Sequence, residues 1–181
     1  MRGFTRQRTE SAPDELWLLE HPSLYTLGQG ADPAFGPASQ AIPVIQTDRG
    51  GEITYHGPGQ AIVYTLVDLA RRGIKVKQFV WLLEQAVLDL LDGQGERRPG
   101  APGVYVRGAK VAALGIRVAR GRSYHGVAVN VDMDLSPFGA IAPCGYPGLA
   151  VTQLRDLGFC ESPAQIAERL AERIVARLAH A

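Results

Sequence analysis

The stretch from Ala61 to Leu69 is almost continuously apolar, carries β-branched residues and is bounded by Gly59 and Gly73. A run of this kind fits a strand buried near the middle of a sheet, which the rest of the chain must cover. The segment that feeds it is equally restrictive. Arg49-Gly50-Gly51-Glu52-Ile53-Thr54-Tyr55-His56-Gly57-Pro58-Gly59-Gln60 crowds four glycines around a Thr, a Tyr and a His. Glycine loses the most backbone freedom on folding, so each must answer a need for an unusual turn or a close approach. A second concentration, Ala142-Pro143-Cys144-Gly145-Tyr146, places one of only two cysteines in a turn. Together they suggest a loop-built pocket with a single thiol nucleophile.

Flanking signals set the fold class. Leu16-Trp17-Leu18-Leu19, Leu24 to Leu27 and Ile42 to Gln46 read as short strands, the last entering the glycine-rich loop. Val76, Phe79, Val80, Leu83, Val87, Leu90 and Leu91 share one side of a helix that ends at Gly93. Residues 92–103, rich in Gly, Pro and charge, read as a surface loop. Gly103 to Arg107 and Lys110 to Leu114 form a hairpin turned by Gly108, and Ile116 to Ala119 and Gly126 to Val131 extend the β region. Ser162, Pro163 and Gln165 announce a last helix, with Ile166, Leu170, Ile174 and Leu178 as its buried stripe. Two long helices among many strands favour an α/β chain of the α+β kind, a mixed sheet packed with helices, over a doubly wound sheet. The length of 181 residues suits one domain over 1–181.

Bulk properties exclude several classes. A formal charge of +1 gives no global reason to bind nucleic acid. No apolar stretch is long enough for a membrane span, and Met1 to Glu15 lacks a signal core, so a cytoplasmic location and no membrane partner are expected. Two distant cysteines make no disulfide scaffold. Basic residues cluster at Arg71, Arg72, Lys75 and Lys77, at Arg97 and Arg98, and at Arg117, Arg120 and Arg122. They form either a solvated face or a dock for an acidic protein.

Each chemical residue has two readings. Cys144 is a nucleophile or a small buried hydrophobe, and its Pro and Gly neighbours favour a cleft. Cys160, beside Phe159, reads as structural. Lys110, in an otherwise apolar strand, either snorkels from an edge or faces the pocket, where it favours a thiolate and moves protons. His56 and His125 each precede a glycine, and a Cys–His pair stays open. Zinc is disfavoured because no histidine or cysteine pair has short ligand spacing. The glycine-rich segment lacks both common phosphate-binding patterns, which disfavours ATP and NAD; its backbone N–H groups could face a substrate instead.

The segment Arg49 to Gln60 closely resembles the signature of the octanoyltransferases of lipoate synthesis, the lipoate–protein ligase B family. The likeness continues through Glu20-His21-Pro22, Ala101-Pro102-Gly103-Val104-Tyr105, Gly108 to Gly115, His125-Gly126-Val127-Ala128-Val129-Asn130, Asp134-Leu135-Ser136-Pro137-Phe138 and Pro143-Cys144-Gly145-Tyr146. It spans almost the whole chain in order. The resemblance implies a fold like the biotin and lipoate protein ligase catalytic domain. It also implies octanoyl transfer from octanoyl-acyl carrier protein to a lipoyl-domain lysine. The acceptors are lipoyl domains of 2-oxoacid dehydrogenase complexes and the glycine cleavage H protein. It matches the family's acylated cysteine to Cys144 and its tuning lysine to Lys110. Substrate contacts map onto Arg49, Gly50, Gly51, Glu52, Ile53, Thr54, Tyr55 and His56, onto Ala113, Leu114 and Gly115, and onto His125, Gly126, Val127 and Ala128. No cofactor and no metal are expected, since thioester to amide is downhill. ATP-dependent ligation and a catalytically dead binding module are the alternatives; the first has no need of a cysteine at position 144, and the presence of both Lys110 and Cys144 argues against the second. Family members often carry a further helix-like N-terminal segment, whereas Met1 to Pro13 alone precede the matching region here.

Overall fold

The computed structural model describes residues 1–32, 36–37, 41–141 and 148–181. The apolar run forms β5 (Gln60–Leu66), with Ala61, Ile62 and Val63 fully buried. It lies between β1 (Glu15–Leu19) and β8 (Arg122–Asn130). Beyond β8 come β7 (Ala109–Ala119) and β6 (Val104–Val106), giving a five-stranded sheet ordered β1-β5-β8-β7-β6 with every pairing antiparallel. A smaller sheet, β3-β2-β4, joins β2 (Leu24–Leu27), β3 (Val44–Gln46) and β4 (Ile53–His56). There β3 runs parallel to β2 and β4 antiparallel, so the mixed pairing resides in this sheet.

Strand β5 is shorter than the sequence expectation. It stops at Leu66, because Asp68 accepts the Arg71 backbone N–H and caps the short helix α2 (Leu69–Arg72). The glycine-rich segment is not all loop: Ile53 to His56 is β4, with Ile53 and Tyr55 buried. Gly115 and Gly126 do not interrupt the β region either; β7 and β8 run straight through them and pair Gly115 with Gly126. Turns at Arg107-Gly108 and Arg120-Gly121 have positive φ at both residues, the geometry that matches hairpin twist. An unanticipated helix, α1 (Arg2–Gln7), opens the chain.

Alternation along β7 and β8 divides the large sheet by function. Ala112, Val127 and Val129, with Leu114 and Ile116, join the main core under α3 (Val76–Leu90) and α4 (Pro163–Ala179). Phe79, Leu83, Val87 and Leu90 of α3 and Ile166, Leu170, Ile174 and Leu178 of α4 supply the helical side, while Val76 stays exposed in the first turn. Ser162 and Gln165 close a full capping box at the start of α4. The opposite sheet face carries the paired small residues Ala113 with Ala128 and Gly115 with Gly126.

Much of the basic surface is committed internally. Asp14 binds Arg8, Arg71 and Arg72 at 2.7–2.9 Å. Arg122 bonds Asp68 and the Arg8 and Thr9 carbonyls. Burial alone would push the Asp14 carboxyl up, but its hydrogen bonds from the Asp68 backbone, Arg72 and Arg8 hold it below the usual range. These arginines pin the N-terminal segment to the end of β5, so the 71–72 pair and Arg122 serve the fold. Lys75, Lys77 and Arg120 remain exposed. Among the described residues no helix is long and apolar enough to cross a membrane.

Candidate active site

The small face of β7 and β8 is the floor of a cavity of about 240 Å³. Removing side chains there leaves room for a substrate without opening the core beneath. Ile62 and Tyr64 of β5, Leu24 and Thr26 of β2, Ile45 of β3 and Phe138 of the 3₁₀ turn Ser136–Ala140 supply walls. The lining is mostly apolar with a few converging polar groups, the usual make-up of a small-molecule site.

Close backbone approach explains the glycines. A Cβ on Gly28 would lie 2.0 Å from the Gly51 carbonyl oxygen, and one on Gly115 would lie 2.9 Å from that of Gly50. The Arg49–Gly51 segment is thereby pressed between the start of the loop after β2 and the floor of β7. Arg49, Gly51, Glu52, Ile53, Thr54 and His56 reach the cavity from this side. Gly50 does not line it; its N–H instead donates to the Ile116 carbonyl. Tyr55 points away, into a second core with Tyr25 and Phe138, and its hydroxyl donates to Ser23 Oγ. Ala113, Leu114, Gly115, His125, Gly126, Val127 and Ala128 all border the cavity.

Lys110 is 4% exposed and its side chain lines the same cavity, so it does not snorkel to solvent. Among the described residues, Gly103 and Tyr105 pack against it. A Cβ on Gly103 would meet Lys110 Cε at 2.4 Å, and the ammonium sits 5.3 Å from the Tyr105 ring centroid. Its backbone is clamped on the other side: Lys110 N–H donates to Ala150 O, and Thr152 N–H to Lys110 O. This places the segment after residue 147 directly beside Lys110. Cys144 lies outside the described residues. Cys160 is exposed, away from the cavity lining.

Imidazole rings mark the polar wall. His56 bonds Gln60 at 2.7 Å and Thr26 at 3.3 Å. Part of its ring faces the cavity, yet protein surrounds it, and burial with the nearby Arg49 charge lowers its pKa to about 4. His56 is therefore neutral at pH 7. His21 bonds the Tyr64 hydroxyl at 2.6 Å, and burial lowers its pKa and raises that of Tyr64. His125, at φ 60°, bonds Asp48 at 2.9 Å. Burial lowers its pKa too, against the pull of that carboxylate. Burial pushes the Asp48 carboxyl up, but bonds from His125, Tyr124 and Arg2 outweigh it and leave the carboxyl far below its usual range. Sequence reasoning missed Thr26 and Tyr64, and it named His21, Gln60 and Asn130 only within matching motifs, with no role at the site. Among the described residues, no group of three or more His, Cys, Asp or Glu side chains is placed to hold a metal.

The cavity is thus floored by small residues, walled by a glycine-rich segment and edged by a buried lysine. The chain belongs to the lipoyl protein ligase A/B catalytic domain family, whose model matches residues 2–175, and within it to the octanoyltransferases, acyltransferases of protein lipoylation. It is 56% identical over 173 residues to the octanoyltransferase of Aromatoleum aromaticum, covering 94% of this chain and 75% of that protein. It is 57% identical over 177 residues to that of Thiobacillus denitrificans, covering 96% and 81%. Its fold superposes on lipoate-protein ligase A bound with ATP with a TM-score of 0.71 at 14% identity, covering 99% of this chain and 76% of that one. On a biotin protein ligase from Aquifex aeolicus in complex with biotin and ATP the TM-score is 0.58 at 13% identity, covering 85% and 70%. The α/β architecture is thus that of the lipoate and biotin protein ligase catalytic domains.

Proposed function

We propose that this octanoyltransferase takes its acyl group from octanoyl-acyl carrier protein, holds it as a thioester on Cys144 and passes it to the lysine of a lipoyl domain, with Lys110 as the partner of the thiol. The observation that carries this reading is the buried Lys110 side chain on the wall of an apolar, small-floored cavity, with the segment that follows residue 147 clamped to its backbone. The lipoyl domains of 2-oxoacid dehydrogenase complexes and the glycine cleavage H protein are the proposed acceptors.

The chemistry balances without a cofactor. The Cys144 thiolate, paired with the Lys110 ammonium, bonds to the thioester carbonyl carbon, and backbone N–H groups meet the charge that develops on oxygen. Collapse breaks the bond to the carrier's sulfur, which takes a proton from Lys110. The neutral Lys110 amine then accepts the proton that the target lysine loses as its nitrogen attacks the Cys144 thioester. The second collapse frees the thiolate beside a restored ammonium. The octanoyl tail lies on the floor of β7 and β8, where each buried CH₂ contributes about 0.8 kcal/mol.

Two assays test this reading. Transfer from octanoyl-acyl carrier protein to a lipoyl domain should proceed in nucleotide-free buffer with a chelator present; a strict need for ATP and magnesium would establish the ligase alternative instead. The second assay probes the tail. Ala128 faces Ala113 on one side and Ile62 on the other. Ala128→Leu fills the floor, so kcat/KM for an octanoyl thioester should fall about tenfold, the worth of roughly two lost methylene contacts, while a butanoyl thioester is little affected. Equal losses for both donors would place the tail elsewhere.

A further inference from the structure

Seven hydrogen bonds run in one direction across the back of the cavity. Arg49 Nε and Nη2 donate to Thr26 Oγ1 at 3.0 and 2.8 Å. Thr26 Oγ1 meets His56 Nε2 at 3.3 Å, and His56 Nδ1 meets Gln60 Oε1 at 2.7 Å. Gln60 Nε2 donates to Asn130 Oδ1 at 2.9 Å, Asn130 Nδ2 to the Thr152 carbonyl at 2.9 Å, and Thr152 N–H to the Lys110 carbonyl at 2.9 Å.

Both ends fix the polarity independently. A guanidinium only donates, so Thr26 Oγ1 accepts from Arg49 and its own hydrogen is left for His56 Nε2. A carbonyl only accepts, so Asn130 turns its amide nitrogen to Thr152 and its oxygen to Gln60. Gln60 must then turn its nitrogen to Asn130 and its oxygen to His56, which makes His56 Nδ1 the donor. The two derivations meet on the same state of His56: neutral, Nδ1 protonated, Nε2 accepting. Gln60 and Asn130 are 1% and 5% exposed and sit directly opposite each other in the β5–β8 pairing, where unpaired amides would be costly.

We propose that Gln60 and Asn130 are positioning residues, a pair of amides that locks the tautomer and orientation of His56 on one side of the acyl site and holds the Ala150–Thr152 segment against Lys110 on the other. Asn130 borders the cavity, and the pair acts through its bonds to His56 and the Thr152 carbonyl. It sets two walls of the cavity from one relay, so a disturbance at either amide reaches both His56 and the Lys110 backbone. Protonating His56 breaks the relay, because Nε2–H would face the Thr26 oxygen that Arg49 already occupies. Burial and the charges of Arg49 from the segment before β4, His21 from the turn after β1 and His125 from β8 oppose that protonation, the Gln60 bond favours it, and Lys110 of β7, Tyr64 of β5 and Glu52 line the same cavity. The relay's effect on turnover rests on the octanoyl-transfer reading; the state of His56 does not.

Two isosteric variants cut different links. In Gln60→Glu the carboxylate keeps the His56 bond but presents oxygen to Asn130, which must flip and abandon the Thr152 carbonyl. The added negative charge also favours a protonated His56. In Asn130→Asp the His56 state is kept and only the Thr152 link is lost. Nitrogen-15 imidazole spectra, with the His56 signals assigned by their loss in His56→Gln, should show the neutral Nδ1–H tautomer in the unmodified protein at pH 7. Asn130→Asp should keep that signature, and Gln60→Glu should protonate His56 at higher pH. Both variants should lower kcat for octanoyl transfer about tenfold, the scale of one lost buried hydrogen bond, with donor KM little changed. Only Gln60→Glu should move the acid limb of the pH profile upward. An Nε2–H tautomer or an imidazolium in the unmodified protein at pH 7 would overturn the proposal, even if neither variant folds. So would an unmoved acid limb with full kcat in folded Gln60→Glu. Failure of octanoyl transfer in the unmodified protein would instead refute the functional reading and leave the spectra to decide the relay.

Discussion

Lys110→Ala should lower octanoyl transfer by about 10²- to 10⁴-fold, the range that a positioned proton-transfer group contributes. Lys110 is a buried lysine whose side chain is packed between Gly103 and the Tyr105 ring and aimed into the cavity, not a surface charge. On the proposed mechanism, removing it takes away both the cation that favours a thiolate and the group that carries protons between the two half-reactions. The two roles separate experimentally. Iodoacetamide labelling of Cys144 should require higher pH in Lys110→Ala, because the thiolate has lost its cation. Lys110→Arg keeps the charge but not the ready proton exchange, so labelling should recover better than transfer. Circular dichroism would check that the variants are folded. An unchanged labelling profile in Lys110→Ala would reject the electrostatic role.

The packing around Lys110 also explains its neighbours. Glu84 of α3, buried against the sheet, accepts the Gly103 N–H and an Arg97 bond. Arg98 lies over the same Tyr105 ring that carries Lys110, and the Tyr105 hydroxyl donates to the Ala101 carbonyl. The residues between 97 and 105, which read from the sequence as a surface loop running into a hairpin, therefore form a seat for the lysine. Cations at Arg97 and Arg98 contribute to that seat, and their availability for docking an acidic carrier is reduced accordingly.

Local signals were the legible part of this fold. Ser162, Pro163 and Gln165 define the start of α4 because a cap is made within one turn, and Gly108 marks its hairpin because positive φ is a one-residue property. Lys110 stood out because a lysine is conspicuous in an apolar strand. Strand β4 was hidden since only Ile53 and Tyr55 face inward over four residues, among glycines that read as loop. The relay was hidden for a different reason. Thr26, His56, Gln60 and Asn130 come from β2, β4, β5 and β8, and nothing local in the sequence says that two amides 70 positions apart are cross-strand partners. Tyr64 and His21 meet 43 positions apart by the same route. Arg71 and Arg72 stood in one cluster of charge and Arg122 in another, but the acids that absorb them, Asp14 and the α2 cap Asp68, lie more than fifty positions from the arginines they bind.

On the proposed mechanism the acyl group pauses on Cys144 between donor and acceptor. The most direct measurement incubates the protein with octanoyl-acyl carrier protein alone, without any acceptor, and takes an intact mass followed by peptide mapping. The expected result is a mass gain of one octanoyl group, mapped to Cys144, labile to hydroxylamine and discharged when a lipoyl domain is added. Cys144→Ser should abolish both the thioester and transfer, whereas Cys160→Ser, altering an exposed thiol outside the cavity lining, should retain both. A label on Cys160 with none on Cys144, or full transfer by Cys144→Ser, would contradict the account.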